Sequence, residues 1–171
     1  LGKELGLYQE NKSKFGQLSM EAIRCSRLVV DTGMHAMGWT IEKAVRFMLD
    51  NTAMGEHDCR TEVARYVTWP GQACAYKVGE RFIRKMRTFA EAQLSERFDP
   101  RDFYDVVMLS GAVPLDVLKE RVEAYVEKVA KSDDVTTSPV AGKRDSEDII
   151  MAAMTFANWC KCCVVPGACL V

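Results

Sequence analysis

Apolar residues recur along this chain at intervals of three and four, and they almost never alternate every second position. That pattern predicts a run of helices and almost no strands. After a turn-rich opening through Gly16, Leu18, Ile23, Val30, Met34 and Met37 mark a first helix over roughly Gln17 to Ala36. Gly38-Trp39 breaks it. Thr40 then offers an N-cap for a second helix through Asp50, with Glu42 favourably placed in the first turn. Asn51 to Gly55 reads as a loop. A third helix, about Glu56 to Thr68, stops ahead of Pro70, because a proline disfavours helical backbone at the residue before it. Pro70 suits the first turn of a long fourth helix, where its missing N–H would be unpaired anyway. That helix carries Ala73, Tyr76, Val78, Phe82, Ile83, Met86 and Phe89 and runs to about Glu96. Asp99-Pro100 signals a cap and first turn for a short helix to about Leu109. Val113-Pro114 repeats the device for a last helix through about Lys131.

Beyond that point the character changes. Ser132 to Glu147 is polar, with Ser-Pro and Gly-Lys-Arg-Asp, and reads as a linker. Asp148 to Trp159 has the spacing of an amphipathic helix, and Cys160, Cys162, Cys163 and Cys169 crowd the end. The expected organisation is therefore an all-α domain over residues 1–131, followed by a flexible linker and Cys-rich tail over 132–171. No internal repeat is visible.

Composition narrows the function classes. The 171 residues are enough for a real core, and 48% hydrophobic with 27% charged residues is ordinary globular usage. A net charge of −1 argues against a nucleic-acid partner. The one basic group (Lys77, Arg81, Arg84, Lys85, Arg87) is diluted by Glu80 and Glu91 and reads as a solvated helix face. No stretch approaches the roughly 20 apolar residues of a membrane span. The start lacks a signal-peptide pattern, but it also lacks an initiator Met, as at a fragment boundary. Cys25, Cys59 and Cys74 fall inside helices without regular spacing. They read as buried free thiols of a reducing compartment such as the cytoplasm.

Two polar constellations carry the candidate chemistry. Arg27, Asp31 and His35 stand at i, i+4 and i+8, so they form one stripe along a helix face flanked by Leu28, Val29, Val30 and Met34. Asp31 can fix the tautomer of His35 and leave one ring nitrogen free to act, while Arg27 can pair with Asp31. The same stripe also reads as a structural ladder to a neighbouring helix. The second constellation places Glu62 and Arg65-Tyr66 one turn apart, ahead of a Trp69-Pro70-Gly71 corner. Gln72, Tyr76 and Gly79 then follow at helical spacing. A tyrosine there can donate to a developing oxyanion, or Tyr66 and Tyr76 are ordinary core aromatics with satisfied hydroxyls.

Metal binding finds little support in the residues. His35 and His57 are the two histidines, without a His-Glu-x-x-His pattern, and His57 beside Glu56 and Asp58 reads as surface. The Cys160/Cys162/Cys163 group lacks a second well-spaced pair; palmitoylation fits it as well as zinc does. No metal ligand is assigned. A Gly-x-Ser-x-Gly elbow, a Walker loop and a dinucleotide fingerprint are all missing from the sequence.

The run Arg27-Leu-Val-Val-Asp31-Thr-Gly33-Met-His35-Ala-Met-Gly-Trp39-Thr resembles a segment of the domain-of-unknown-function family eight-eight-five. So do Glu62-Val-Ala-Arg-Tyr66-x-x-Trp-Pro70-Gly-Gln-Ala-x-Ala-Tyr76-Lys-x-Gly79, Phe98-Asp99 with Phe103, Gly111-Ala-Val-Pro-Leu115-Asp-Val-Leu118, and the opening Leu1 to Tyr8 with Phe15-Gly-Gln-Leu. The resemblance covers about residues 1–130. It implies the C-terminal part of a mostly helical, gluzincin-like zinc metallopeptidase fold, whose His-Glu metal motif lies upstream of Leu1. Zinc and a peptide substrate are then expected in the full-length parent and no cofactor in this chain, which alone would be inactive. By the same resemblance, His35 and Tyr76 would be catalytic assistants, Arg27 and Asp31 would orient them, and Tyr66 and Gln72 would bind substrate. The tail after Lys131 departs from the family pattern. The competing expectation is a non-catalytic helical module that binds a peptide or protein. A cysteine nucleophile comes third, because no Cys–His pair is placed by the sequence. Helices that pack against a missing half would expose apolar faces, so self-association is expected.

Overall fold

Six α-helices make up the architecture of the computed structural model, which describes residues 2–132; no strand occurs among the described residues. They are α1 (Asn11–Met37), α2 (Ile41–Asn51), α3 (Glu56–Thr68), α4 (Ala75–Leu94), α5 (Pro100–Leu109) and α6 (Leu115–Lys131). Single 3-10 turns at Gln72–Cys74 and Ser95–Arg97 precede and follow α4. The fold is all-α, as expected. None of these helices is long and apolar enough to cross a membrane. The linker and tail expectations, including the Asp148–Trp159 helix and the four C-terminal cysteines, lie outside the described residues.

The capping chemistry was largely legible. Thr40 Oγ1 accepts the Lys43 N–H at 3.2 Å and starts α2. Asp99 Oδ1 accepts the Arg101 N–H at 2.7 Å, with Pro100 in the first turn of α5. Three helix starts differ. α1 starts at Asn11, six residues early, because an interior glycine such as Gly16 costs only about 1 kcal/mol and a helix of 27 residues tolerates it. α6 takes Pro114 as its cap residue, so helical geometry begins at Leu115. Pro70 does not open α4. It sits in a corner with Gly71 at φ +83°, and α4 begins only at Ala75.

Gly38 ends α1 in the left-handed region at φ +65°, and the Trp39 N–H returns to the Gly33 carbonyl at 2.9 Å. This folds the indole of Trp39 back onto Gly33, so closely that a Cβ there would lie 2.6 Å from the ring. The ring is packed against Phe47, with centroids 5.6 Å apart, and Lys43 Nζ lies 4.3 Å from its centroid. Alanine in a helix interior gains about 1 kcal/mol over glycine, but overpacking against a pinned ring costs about 1–3 kcal/mol. Gly33→Ala is therefore expected to destabilise by up to about 2 kcal/mol net. An unchanged or raised urea midpoint would show that Trp39 moves aside freely.

The described residues divide into two compact units, and the boundary falls inside α4, after Val78. In the first, α1, α2, α3 and the 3-10 turn bury Val30, Ala44, Val45, Met48, Cys59, Val63, Tyr66 and Ala73. In the second, α4, α5 and α6 bury Met86, Ala90, Leu94, Phe103, Leu118, Val122 and Val126. Each large side chain among these contributes about 1.5–3 kcal/mol by leaving water. The basic face expected on α4 is solvated at Arg81, Arg84 and Lys85. Lys77 departs from that expectation: it is buried and paired with Glu21 of α1.

Candidate functional site

The Trp69-Pro70-Gly71 corner organises the polar residues of the first unit. Asp31, at 3% exposure in the middle of α1, accepts the Gly71 N–H with both carboxylate oxygens, at 3.1 and 3.0 Å. Gly71 supplies the left-handed backbone that such a corner needs. The carboxylate thus pins the corner to α1 and sets where Gln72 and the start of α4 lie. Burial pushes the Cys74 thiol up, and the charge and hydrogen bond of Asp31 add to it, so this cysteine stays protonated and unreactive.

Held there, Gln72 Oε1 accepts from Arg27 Nη2 at 2.8 Å and from Arg65 Nη1 at 3.4 Å. Arg65 Nη2 donates to Glu62 Oε2 at 2.6 Å, and the Tyr66 hydroxyl donates to the same oxygen at 2.7 Å. Burial pushes the Glu62 carboxyl up, but the hydrogen bonds from Arg65 and Tyr66 and the two guanidinium charges outweigh it and hold Glu62 below its ordinary range. Tyr66 moves the other way. Burial, reinforced by the bond to Glu62, raises its hydroxyl far above the usual phenol value, so it remains a donor.

Guanidinium groups stack on both tyrosines. Arg27 Cζ lies 5.1 Å from the Tyr76 ring centroid and 5.4 Å from that of Tyr66, and Arg24 Cζ lies 5.2 Å from Tyr76. Arg27 Nε is buried with no hydrogen-bond partner among the described residues. Tyr76 is itself exposed. His35 Nε2 lies 3.0 Å from the Tyr66 carbonyl. A carbonyl only accepts, so this contact places a proton on Nε2 and, in the neutral ring, leaves Nδ1 as the acceptor.

The structure gathers Arg27, Tyr66, Gln72 and Tyr76 into one cluster and sets Asp31 and His35 at the corner beside it. The two pairs suggested by the α1 stripe, Arg27 with Asp31 and Asp31 with His35, do not form. The backbone groups of the corner compete successfully for these side chains: the Gly71 N–H takes Asp31, and one of the last carbonyls of α3 takes His35. Sequence reasoning gave no role to Arg24, although it stands three residues before Arg27 and so on the same side of α1. Arg65 and Glu62 were noticed as a motif, without their joint hold on Gln72 and Tyr66. Among the described residues, no three of the His, Cys, Asp and Glu side chains gather as a metal site. His35 and Glu62 are already engaged by protein groups, and the remaining donors are mostly cationic. These residues do not fit a zinc ion.

A family model described as "Bacterial protein of unknown function (DUF885)" matches residues 1–122. Among solved structures, "the putative lipoprotein from Colwellia psychrerythraea" is 44% identical, with a TM-score of 0.71. The match covers 74% of this chain and 22% of that one, so this chain spans less than a quarter of the length of its structural relative. No curated protein matches.

Proposed function

This chain belongs to the DUF885 family, and from that premise we propose that it is the C-terminal helical part of a longer, metallopeptidase-like protein, in which it holds the peptide substrate. The observation that carries the reading is the convergence of Arg27 and Arg65 on Gln72, next to the exposed ring of Tyr76. Such a surface offers several directed donors fixed by their own contacts, which suits a polar, extended ligand. The small share of the relative's length covered by this chain supports a part rather than a whole. The zinc that the family resemblance implies would be held by residues other than the described ones, since those do not fit it.

In this reading the exposed Tyr76 donates to the peptide carbonyl, and His35 presents Nδ1 at the same corner. Arg27 orients Tyr76 by stacking on it, and Asp31 orients the corner through Gly71. Tyr66 and Gln72, whose polar atoms are already bonded, shape the binding surface. The test compares this chain with the longer parent on a pool of short peptides. The chain alone is expected to bind without hydrolysis, and the parent to hydrolyse. Tyr76→Phe in the parent is expected to lower kcat about 10²-fold, the loss typical of one oxyanion donor. Hydrolysis by the isolated chain, or an undiminished kcat in Tyr76→Phe, would overturn the assignment. A parent that binds peptides and never cleaves them would favour the non-catalytic module.

A further inference from the structure

The charge inventory around Tyr76 does not close. Three arginines, Arg24, Arg27 and Arg65, meet at the two tyrosine rings. Two carboxylates stand with them, and both are engaged: Glu62 by Arg65 and Tyr66, Asp31 by the Gly71 N–H. The neighbouring Lys77 is paired with Glu21 and has further contacts of its own. Within this set of five, one positive charge is left over, and it falls on the two guanidinium groups at Tyr76. Among the described residues no carboxylate bonds either Arg24 or Arg27. Arg27 gives one nitrogen to the neutral oxygen of Gln72, and the Arg24 side chain makes no hydrogen bond to any described residue. Two cations whose centres both lie within about 5.2 Å of one ring centroid repel each other, and stacking on the ring offsets only part of that cost.

We infer that Arg24 and Arg27 form a binding site for a monoanionic carboxylate, the free C-terminal carboxylate of the bound peptide. The inference rests on the peptide-holding role proposed above and specifies which end of the peptide is held. A surplus of one charge matches a carboxylate better than a phosphate dianion. The planar guanidinium fork also fits the two oxygens of a carboxylate. The stacking on two rings and the bond to Gln72 hold Arg27 in place before the ligand arrives, which lowers the ordering cost of binding.

The experiment uses the full 171-residue chain and two fluorescein-labelled degenerate pentapeptide pools, identical except that one ends in a free carboxylate and the other in an amide. Anisotropy titration at low salt is expected to show the acid pool binding at least about tenfold more tightly. Arg24→Gln should bring the acid pool to the level of the amide pool, whereas Arg24→Lys should retain part of the preference. Arg24 is half-buried on the helix surface, so the variant is expected to fold; its circular dichroism and urea midpoint are checked alongside. Equal binding of the two pools would overturn the carboxylate site and leave peptide holding intact. Binding of neither pool would overturn both. Competition by inorganic phosphate at concentrations where acetate has no effect would show an anion site of a different class and would also overturn it.

Discussion

Tyr66→Ala is expected to lower the unfolding free energy by about 3–5 kcal/mol, and Tyr66→Phe by only about 1 kcal/mol. Tyr66 is 1% exposed and packs in the first core with Val63, Met48 and Val30. Removing the ring leaves a cavity of aromatic size between α1, α2 and α3, and losses of this kind fall in the 3–5 kcal/mol range. It also removes the surface on which Arg27 and Arg65 stack. Tyr66→Phe keeps the ring and deletes one hydrogen bond to Glu62, which retains Arg65 and is partly reached by water, so the cost is that of a single bond. Urea denaturation of the two variants separates the terms. Equal losses would mean that the hydroxyl network, and not the packed ring, holds this region together.

The second large effect lies in the other unit. Phe103 is fully buried and touches two further aromatic rings, Phe98 at 6.0 Å and Tyr104 at 5.4 Å between centroids. Phe103→Ala is expected to cost about 3–5 kcal/mol through the lost transfer energy and the cavity, with a further part from the edge contact to Tyr104. Phe103→Leu, which fills most of the volume, should cost about 1.5 kcal/mol or less. With Trp159 replaced by phenylalanine, tryptophan fluorescence reports the first unit, where Trp39 and Trp69 lie, and far-ultraviolet circular dichroism reports both. A Phe103→Ala transition no lower in urea than that of the parent would show that α5 and α6 repack around the gap.

Much of this was legible because it is local. Thr40, Asp99 and Pro100 act within one helical turn, so their capping roles follow from residue type and position alone. The apolar spacing of α3 gave both of its ends, since the loop before it and the proline after it are punctuation. The corner resisted for the opposite reason. Pro70 is equally at home in a first helical turn and in a bend, and the choice was made by Asp31, whose carboxylate arrives from 40 positions away. The α1 stripe placed its residues on one face and gave them the wrong partners. Spacing says that Arg27, Asp31 and His35 share a face, but not that the backbone of a distant bend offers each of them a competitor. Arg24 escaped notice because a lone arginine beside a motif looks like surface until Tyr76 is placed against it.

The order in which these pieces leave the ribosome gives the corner one more consequence. Arg27, Asp31 and His35 are made first and wait for partners 45, 40 and 31 positions later in the chain. Until Gly71 and Gln72 have emerged, α1 presents a buried-type aspartate and a stripe of arginines with nothing to bind. Helix hairpins form from near neighbours in sequence, whereas these contacts need long loops to close, and loop closure costs entropy. Within the first unit the arginine–tyrosine surface is thus the last part to assemble during synthesis, and a chain cut short before residue 71 would have no site.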